Sequence, residues 1–267
     1  MTHQLTEIQL QQIQGRLREA ERAYLDNFCT SSLEWGLMVF QDKQLPDMFD
    51  HNCIRIPHDV PNSRLRQLAD IARNTSKATG RPFLKLCLSQ PLSYKSAVSG
   101  HEGYYMLPQD QAQQWQVRTD CRIVQMREKA QIQQLYQLEA GDSAGSELRP
   151  GDFDRRSVER RSLVYLDEEK PLNCWLCYVG EELAARADLQ VTEGVAKIEE
   201  LITAEKWRRQ GLATALLRHL ALEAGRQGAD LIYLVADEED TPKEMYLKLG
   251  FVKVMDDYFL RWMFNGK

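Results

Sequence analysis

A chain of 267 residues with 43% hydrophobic and 27% charged side chains can build one large packed domain or two modest ones. Its formal net charge of −5 argues against a polyanion-binding protein, so no nucleic-acid partner is expected. No run reaches the roughly 18 apolar residues of a membrane span, and the first residues hold no apolar signal core. A cytoplasmic chain with no membrane partner is therefore expected.

The first thirty residues carry an irregular apolar stripe, Leu5, Ile8, Ile13, Leu17 and Tyr24, and read as a helix. WGLMVF at 35–40 and CIRIP at 53–57 read as short strands around the turn-rich DKQLPDMFD. LPDMFDHN at 45–52 reads either as a wall of an acceptor pocket or as a buried turn. SRLRQLADIARNTSKATG reads as a helix leading into an apolar strand, FLKLCL at 83–88, with GYYML at 103–107 as a further strand. The polar stretch PQDQAQQWQVRTD then marks a domain boundary near residue 118.

Beyond it, CRIVQM reads as a strand and KAQIQQLYQLEAG as a helix. DFDRRSVERRSLVYLDEE reads as a second helix, with Asp152 or Asp154 placed to cap its start. WLCYVG, ARADLQVTEG and AKIEELIT follow as three strands. TALLRHLALEAGRQG is an amphipathic helix ending at Gly228, and LIYLVA is a strand. TPKEMYLKLG is a short helix with Pro242 in its first turn, and FVKVMDDYFLRWMF reads as a terminal hairpin-like pair.

Six cysteines are too few for a disulfide framework in a chain of this size. Cys174 and Cys177 form a C-x-x-C, but inside a strand such positions face opposite ways and no second pair follows. The five histidines form no ligand cluster either. A structural role is the reading for both residue types, and no metal is expected.

The two halves echo each other. A shift of 148 pairs Leu68 with Leu216, Ala72 with Leu220 and Leu86 with Leu234, while a shift of 147 pairs Gly103 with Gly250. Duplication and an unrelated N-terminal extension both remain open on this pattern.

The chemistry concentrates in IEELITAEKWRRQGLATALLRHLALEAG. A strand ends in a basic, glycine-containing turn that opens straight into a helix. Backbone N–H groups at a helix start lack intrahelical partners and carry the positive end of its dipole, which suits a pyrophosphate. Gly211 lets the backbone approach phosphate oxygens without a Cβ in the way, Ala213 keeps the next turn narrow, and Arg208 and Arg209 add charge. Many purely structural junctions share this outline, so the residues alone leave both readings open. The spacing matches neither a P-loop nor a dinucleotide fingerprint.

R-R-Q-G-L-A-T-A-L-L resembles the acyl-CoA pyrophosphate motif of the GNAT acetyltransferases, whose fixed positions fall on Arg208, Gly211 and Ala213. Downstream, E-M-Y-L-K-L-G-F at 244–251 is similar to the family's second motif, a helix carrying a tyrosine. The resemblance covers residues 119–267 well. It implies an α/β fold with a mixed, mostly antiparallel sheet flanked by helices, in two GNAT-like units. Residues 119–267 would be the acetyl-CoA-binding catalytic domain and 1–118 a degenerate or substrate-side one. Val60, Ser63 and Leu65 stand where the N-terminal half would need the cofactor turn.

The resemblance also implies roles. The Leu201-Ile202-Thr203 strand would lie along the pantetheine arm, with backbone groups of Leu201 and Thr203 pairing its amides. The N–H groups of Arg209, Gln210, Gly211, Leu212, Ala213 and Thr214 would hold the pyrophosphate. Tyr246 would sit near the sulfur as an acid. The family's usual asparagine seven positions before the tyrosine is replaced by Glu239, next to Asp240, so Asp240 takes that contact as a candidate.

Ternary-complex acetyl transfer needs an uncharged amine and hence a proton acceptor. Glu199 and Glu200 precede the turn on a strand, where alternation sends them to opposite faces and one toward the cleft. The expected activity is transfer from acetyl-CoA to a primary amine, on a small molecule or peptide, by a monomer or homodimer. The alternative is a non-catalytic module that binds or senses acyl-CoA.

Overall fold

The computed structural model describes residues 6–142 and 152–264. Helix α1 (Glu7–Leu25) leads into β1 (Thr30–Glu34), β2 (Leu37–Gln41), β3 (Cys53–Arg55), α2 (Asn62–Ala78), β4 (Phe83–Leu88) and β5 (Val98–Leu107). The second half runs β6 (Arg122–Gln125), α3 (Gln131–Asp142), α4 (Phe153–Tyr165), β7 (Leu172–Val179), β8 (Glu182–Thr192) and β9 (Val195–Thr203). It closes with α5 (Leu212–Arg226), β10 (Leu231–Asp237), α6 (Pro242–Lys248) and β11 (Val252–Met263).

All eleven strands join one sheet in the order β1-β2-β3-β4-β11-β5-β10-β9-β8-β7-β6. Among the described residues only β3–β4 and β9–β10 run parallel. From the central β11–β5 pair the pattern reads alike in both directions. An antiparallel neighbour comes first (β4 or β10), then its parallel partner (β3 or β9), then an antiparallel one (β2 or β8). Each half therefore sends its last strand into the other: β5 pairs with β10, and β11 pairs with β4.

This exchange corrects the hairpin expected of FVKVMDDYFLRWMF, which is one 12-residue strand with a bulge between Lys253 and Met255. The acidic pair that suggests a turn is instead satisfied in the strand. Asp256 pairs with His101 and Lys253, and Asp257 accepts from Tyr104 Oη at 3.0 Å.

Alternation on the strands assigns the layers. On β5, Tyr104 packs with Leu17 and Ala20 of α1, while its neighbour Tyr105 joins Leu216 and Leu220 of α5. Val158 of α4 and Leu135 of α3 share a cluster with Tyr24, which places them on the α1 face. Leu260 and Trp262 of β11 pack with Leu65, Leu68 and Ala72 of α2 on the α5 face. Each leucine so buried contributes roughly 2 kcal/mol. No helix among the described residues is long and apolar enough to cross a membrane.

Smaller departures have local causes. Helix α1 ends at Leu25 rather than near residue 30, and Thr30–Glu34 is a mostly exposed edge strand that turns into β2 through Trp35 (φ 52°) and Gly36 (φ 79°), a two-residue hairpin loop. Asp152 occupies the N-cap of α4 but its carboxylate bonds Arg156 at 3.1 Å instead of the backbone. Cys174 and Cys177 enter different core clusters on the two faces of β7.

Candidate functional site

The site begins where two parallel strands part. β9 and β10 pair from Val195↔Leu231 to Ile198↔Leu234 and no further. Beyond that point Glu200 takes φ 56°, and the pairing of β9 with β8 jumps from Glu199↔Asp188 to Ile202↔Arg186. Two residues of β9 thus oppose Ala187 alone, a bulge that bends the strand away from β10. A left-handed glutamate costs on the order of 1 kcal/mol and persists only when its surroundings hold it. Here Arg161 (2.6 Å) and Arg186 (3.3 Å) grip its carboxylate.

The divergence opens a cavity of about 210 Å³. Glu199, Glu200, Leu201, Asp240, Pro242 and Tyr246 line it together with β10. The bulge breaks the alternation expected of the two acids, so both face the cavity rather than opposite sides. Ile202 packs instead toward the α3–α4 cluster, and Thr203 pairs with Ala185.

Past Thr203 the chain makes a short helical turn at Glu205–Trp207 and then the basic loop. Arg208 Nε donates to Thr203 O at 3.1 Å, tying the loop back to the strand end. Arg209 (φ 61°) and Gly211 (φ 81°) both take the left-handed conformation, and Gly211 is the N-cap of α5. No side chain caps this helix. The first intrahelical bond, Ala215 N–H to Gly211 O, leaves the N–H groups of Leu212, Ala213 and Thr214 without helical partners. A Cβ on Gly211 would meet only Arg118 Cβ, at 3.9 Å, so the space before the helix is open. Leu212 is buried and anchors the turn, while Arg208, Arg209 and Gln210 are exposed. Arg118 holds Gln210 Oε1 at 3.2 Å.

Tyr246, on α6, is 7% exposed and packs against Phe251, with ring centroids 5.7 Å apart. Its hydroxyl hydrogen-bonds no described residue although the residue lines the cavity. Burial, then the nearby carboxylates of Glu199 and Asp240, push its phenol up to about 12. Asp240 accepts from Thr241 N–H at 2.6 Å, whereas Glu239 lies outside the cavity lining.

The two glutamates differ in charge state. Against the cost of burial, Arg161 and Arg186 hold Glu200 below the usual carboxylate range. Burial pushes Glu199 up to about 7 despite Lys197 Nζ at 2.8 Å. Glu200 is thus fixed as an anion, while Glu199 can exchange a proton near neutrality.

A family model described as an acetyltransferase (GNAT) domain matches residues 170–253, a span that contains the bulge, the basic turn and Tyr246. "Uncharacterized N-acetyltransferase CgeE" of Bacillus subtilis (strain 168) is 23% identical over 257 residues, covering 90% of this chain and 94% of that protein. Residues 170–253 thus match a GNAT acetyltransferase domain. Among solved structures, a GCN5-related N-acetyltransferase from Kribbella flavida superposes with a TM-score of 0.66 at 15% identity, covering 94% of this chain and 95% of the other. A tandem GNAT protein from the clavulanic acid biosynthesis pathway gives 0.56 at 15% identity, covering 86% and 79%. The domain match and the relative's name together support an acyltransferase.

Within this GNAT fold the sequence reading missed the groups that support the site. Arg118 lies in the polar link before β6, and Arg161 and Arg186 hold Glu200 from α4 and β8. Lys197 and Glu21 stand behind Glu199. The one legible sign was a charged residue inside an apolar pattern: Glu21 lies four residues after Leu17 and three before Tyr24 on the buried stripe of α1. The turn at 45–52 is a buried one. Asp42 bonds His51 and Arg160, and Leu45 and Met48 pack with Phe153.

Proposed function

We propose that the cleft between β9 and β10 takes acetyl-CoA and that this GNAT protein transfers the acetyl group to a primary amine. The observation that carries the reading is the continuity of the parted strands with an open, glycine-capped helix start. Leu201 and Thr203 would offer backbone groups along the arm of the donor. The N–H groups from Arg209 to Thr214 would meet its pyrophosphate, with Arg208 and Arg209 adding charge. Bound there, acetyl-CoA supplies an acetyl group activated as a thioester.

The residues then divide the proton work. Glu199 takes the proton that the amine nitrogen sheds as it bonds the acetyl carbon. Tyr246 keeps its phenolic proton at neutral pH and gives it to the departing sulfur, and solvent restores both groups. Glu200 shapes the bulge and stays ionised. The N-terminal half, read as a degenerate GNAT unit, supplies β5 against β10, so one chain completes the cleft wall.

Release of free CoA thiol from acetyl-CoA, measured over polyamines, amino acids, aminoglycosides and peptides, tests this reading. Turnover with at least one amine is expected. Tight acetyl-CoA binding with no thiol release from any amine would replace it with a sensing role.

A further inference from the structure

Behind Glu199 lies a buried arrangement of three charges. Lys197 Nζ is 2.8 Å from Glu199 Oε2 and equally 2.8 Å from Glu21 Oε1 on α1. Its side chain is only 6% exposed and its ammonium sits 4.1 Å from the centroid of the Tyr24 ring. One ammonium between two carboxylates can fully match only one of them in so poorly solvated a place, so the less supported acid is driven to keep a proton. Geometry decides which. Glu21 also accepts from Tyr233 Oη at 2.8 Å and has Arg55 at 3.7 Å, while Glu199 has neither and opens onto the cavity.

Other groups facing Glu199 are already committed. Glu200 is matched by Arg161 and Arg186, and Asp188, opposite Glu199 on β8, is bonded by Arg186 and by Tyr165 Oη. On the cavity side stand Tyr246 and Asp240, which face the acid without a cation between them. Lys197 is therefore the cation that answers Glu199, and Glu21 competes for it.

We infer that Glu21 is a positioning residue: by sharing Lys197 it denies Glu199 a full ion pair and so fits Glu199 to act as a base. The inference rests on the base proposed above. α1 thus contributes chemistry to a cleft it does not line. A base ionised only at higher pH is a stronger base, so rate would rise through the pH at which Glu199 loses its proton.

The test is a titration of Glu199 itself, which needs neither donor nor acceptor. Full-length protein labelled with ¹³C at glutamate side-chain carboxyls would show the Glu199 signal by its absence in Glu199→Gln. The wild-type midpoint is expected at about 7. Glu21→Gln frees Lys197 for Glu199 alone and should lower the midpoint by about one unit or more. Lys197→Met removes the cation and should raise it, and the double variant should fall between. A purely structural role for Glu21 leaves the Glu199 midpoint unmoved in Glu21→Gln. Unchanged midpoints, or shifts of the same sign in both single variants, overturn the inference. Failure of the thiol-release assay with these midpoints intact would instead count against the catalytic reading.

Discussion

The seam between β3 and β4 and the cleft between β9 and β10 occupy matching places on either side of the β11–β5 pair, yet one is closed and the other open. β3 stays paired with β4 from Cys53↔Lys85 to Arg55↔Cys87, and Ile56 N–H continues to Cys87 O at 3.1 Å. β9 leaves β10 after Ile198, with Leu201, Ile202 and Thr203 still to come. The turn that follows differs in the same sense. Pro61 stands at the N-cap of α2 and has no N–H, whereas Gly211 caps α5 in a left-handed conformation with open space before it. One bulged glutamate and one glycine separate a site from a seam within the same architecture.

The largest expected effect breaks the notion that the halves are separable. Residues 119–267 made alone would leave β10 without β5 and β11 without either neighbour, exposing three strand edges. Loss of soluble, cooperatively melting protein is expected by circular dichroism, with recovery on co-expression of residues 1–118. A stable isolated fragment would show the exchange to be dispensable.

Tyr246→Phe sharpens what the open cleft does. The ring stays packed against Phe251 and only the hydroxyl goes, so kcat should fall roughly 10²-fold with little change in KM for acetyl-CoA. A variant with near-normal kcat would leave Tyr246 as a packing residue.

The smallest effect makes the open turn more like the closed one. Gly211→Leu puts a side chain into the space before α5 at φ 81°, where a non-glycine residue costs about 1–2 kcal/mol. Acetyl-CoA affinity by calorimetry should weaken about tenfold or more, as charge-assisted hydrogen bonds are lost. The melting temperature should drop by only a few degrees. Unchanged affinity in the folded variant would remove the pyrophosphate assignment.

Much of this was readable before any coordinates. FLKLCL and LIYLVA match β4 and most of β10 because apolar runs buried on both faces carry a strong local signal. The basic turn was legible because helix starts advertise themselves through glycine and flanking charge. The strand exchange was not, since pairing partners such as Phe83 and Met263 are set by long-range register rather than by neighbours in sequence. Nor could alternation tell Glu199 from Glu200, because the left-handed residue that voids it depends on arginines from α4 and β8. Glu21 meets Tyr233 across 212 residues, a distance at which sequence pattern is silent.

The exchanged strands also set an order for the birth of the molecule. On the ribosome, β4 and β5 emerge early but lie on either side of β11, which is made after the other ten strands. Until β11 leaves the exit tunnel, the nascent chain holds these edges unpaired, in the state most open to wrong partners. Completion of the sheet, and closure of the chain around its cleft, then wait for β11 and are governed by contacts of very high sequence separation. A stop codon that removes β11 would therefore spare the acetyltransferase motifs on paper while depriving both halves of the strand that joins them.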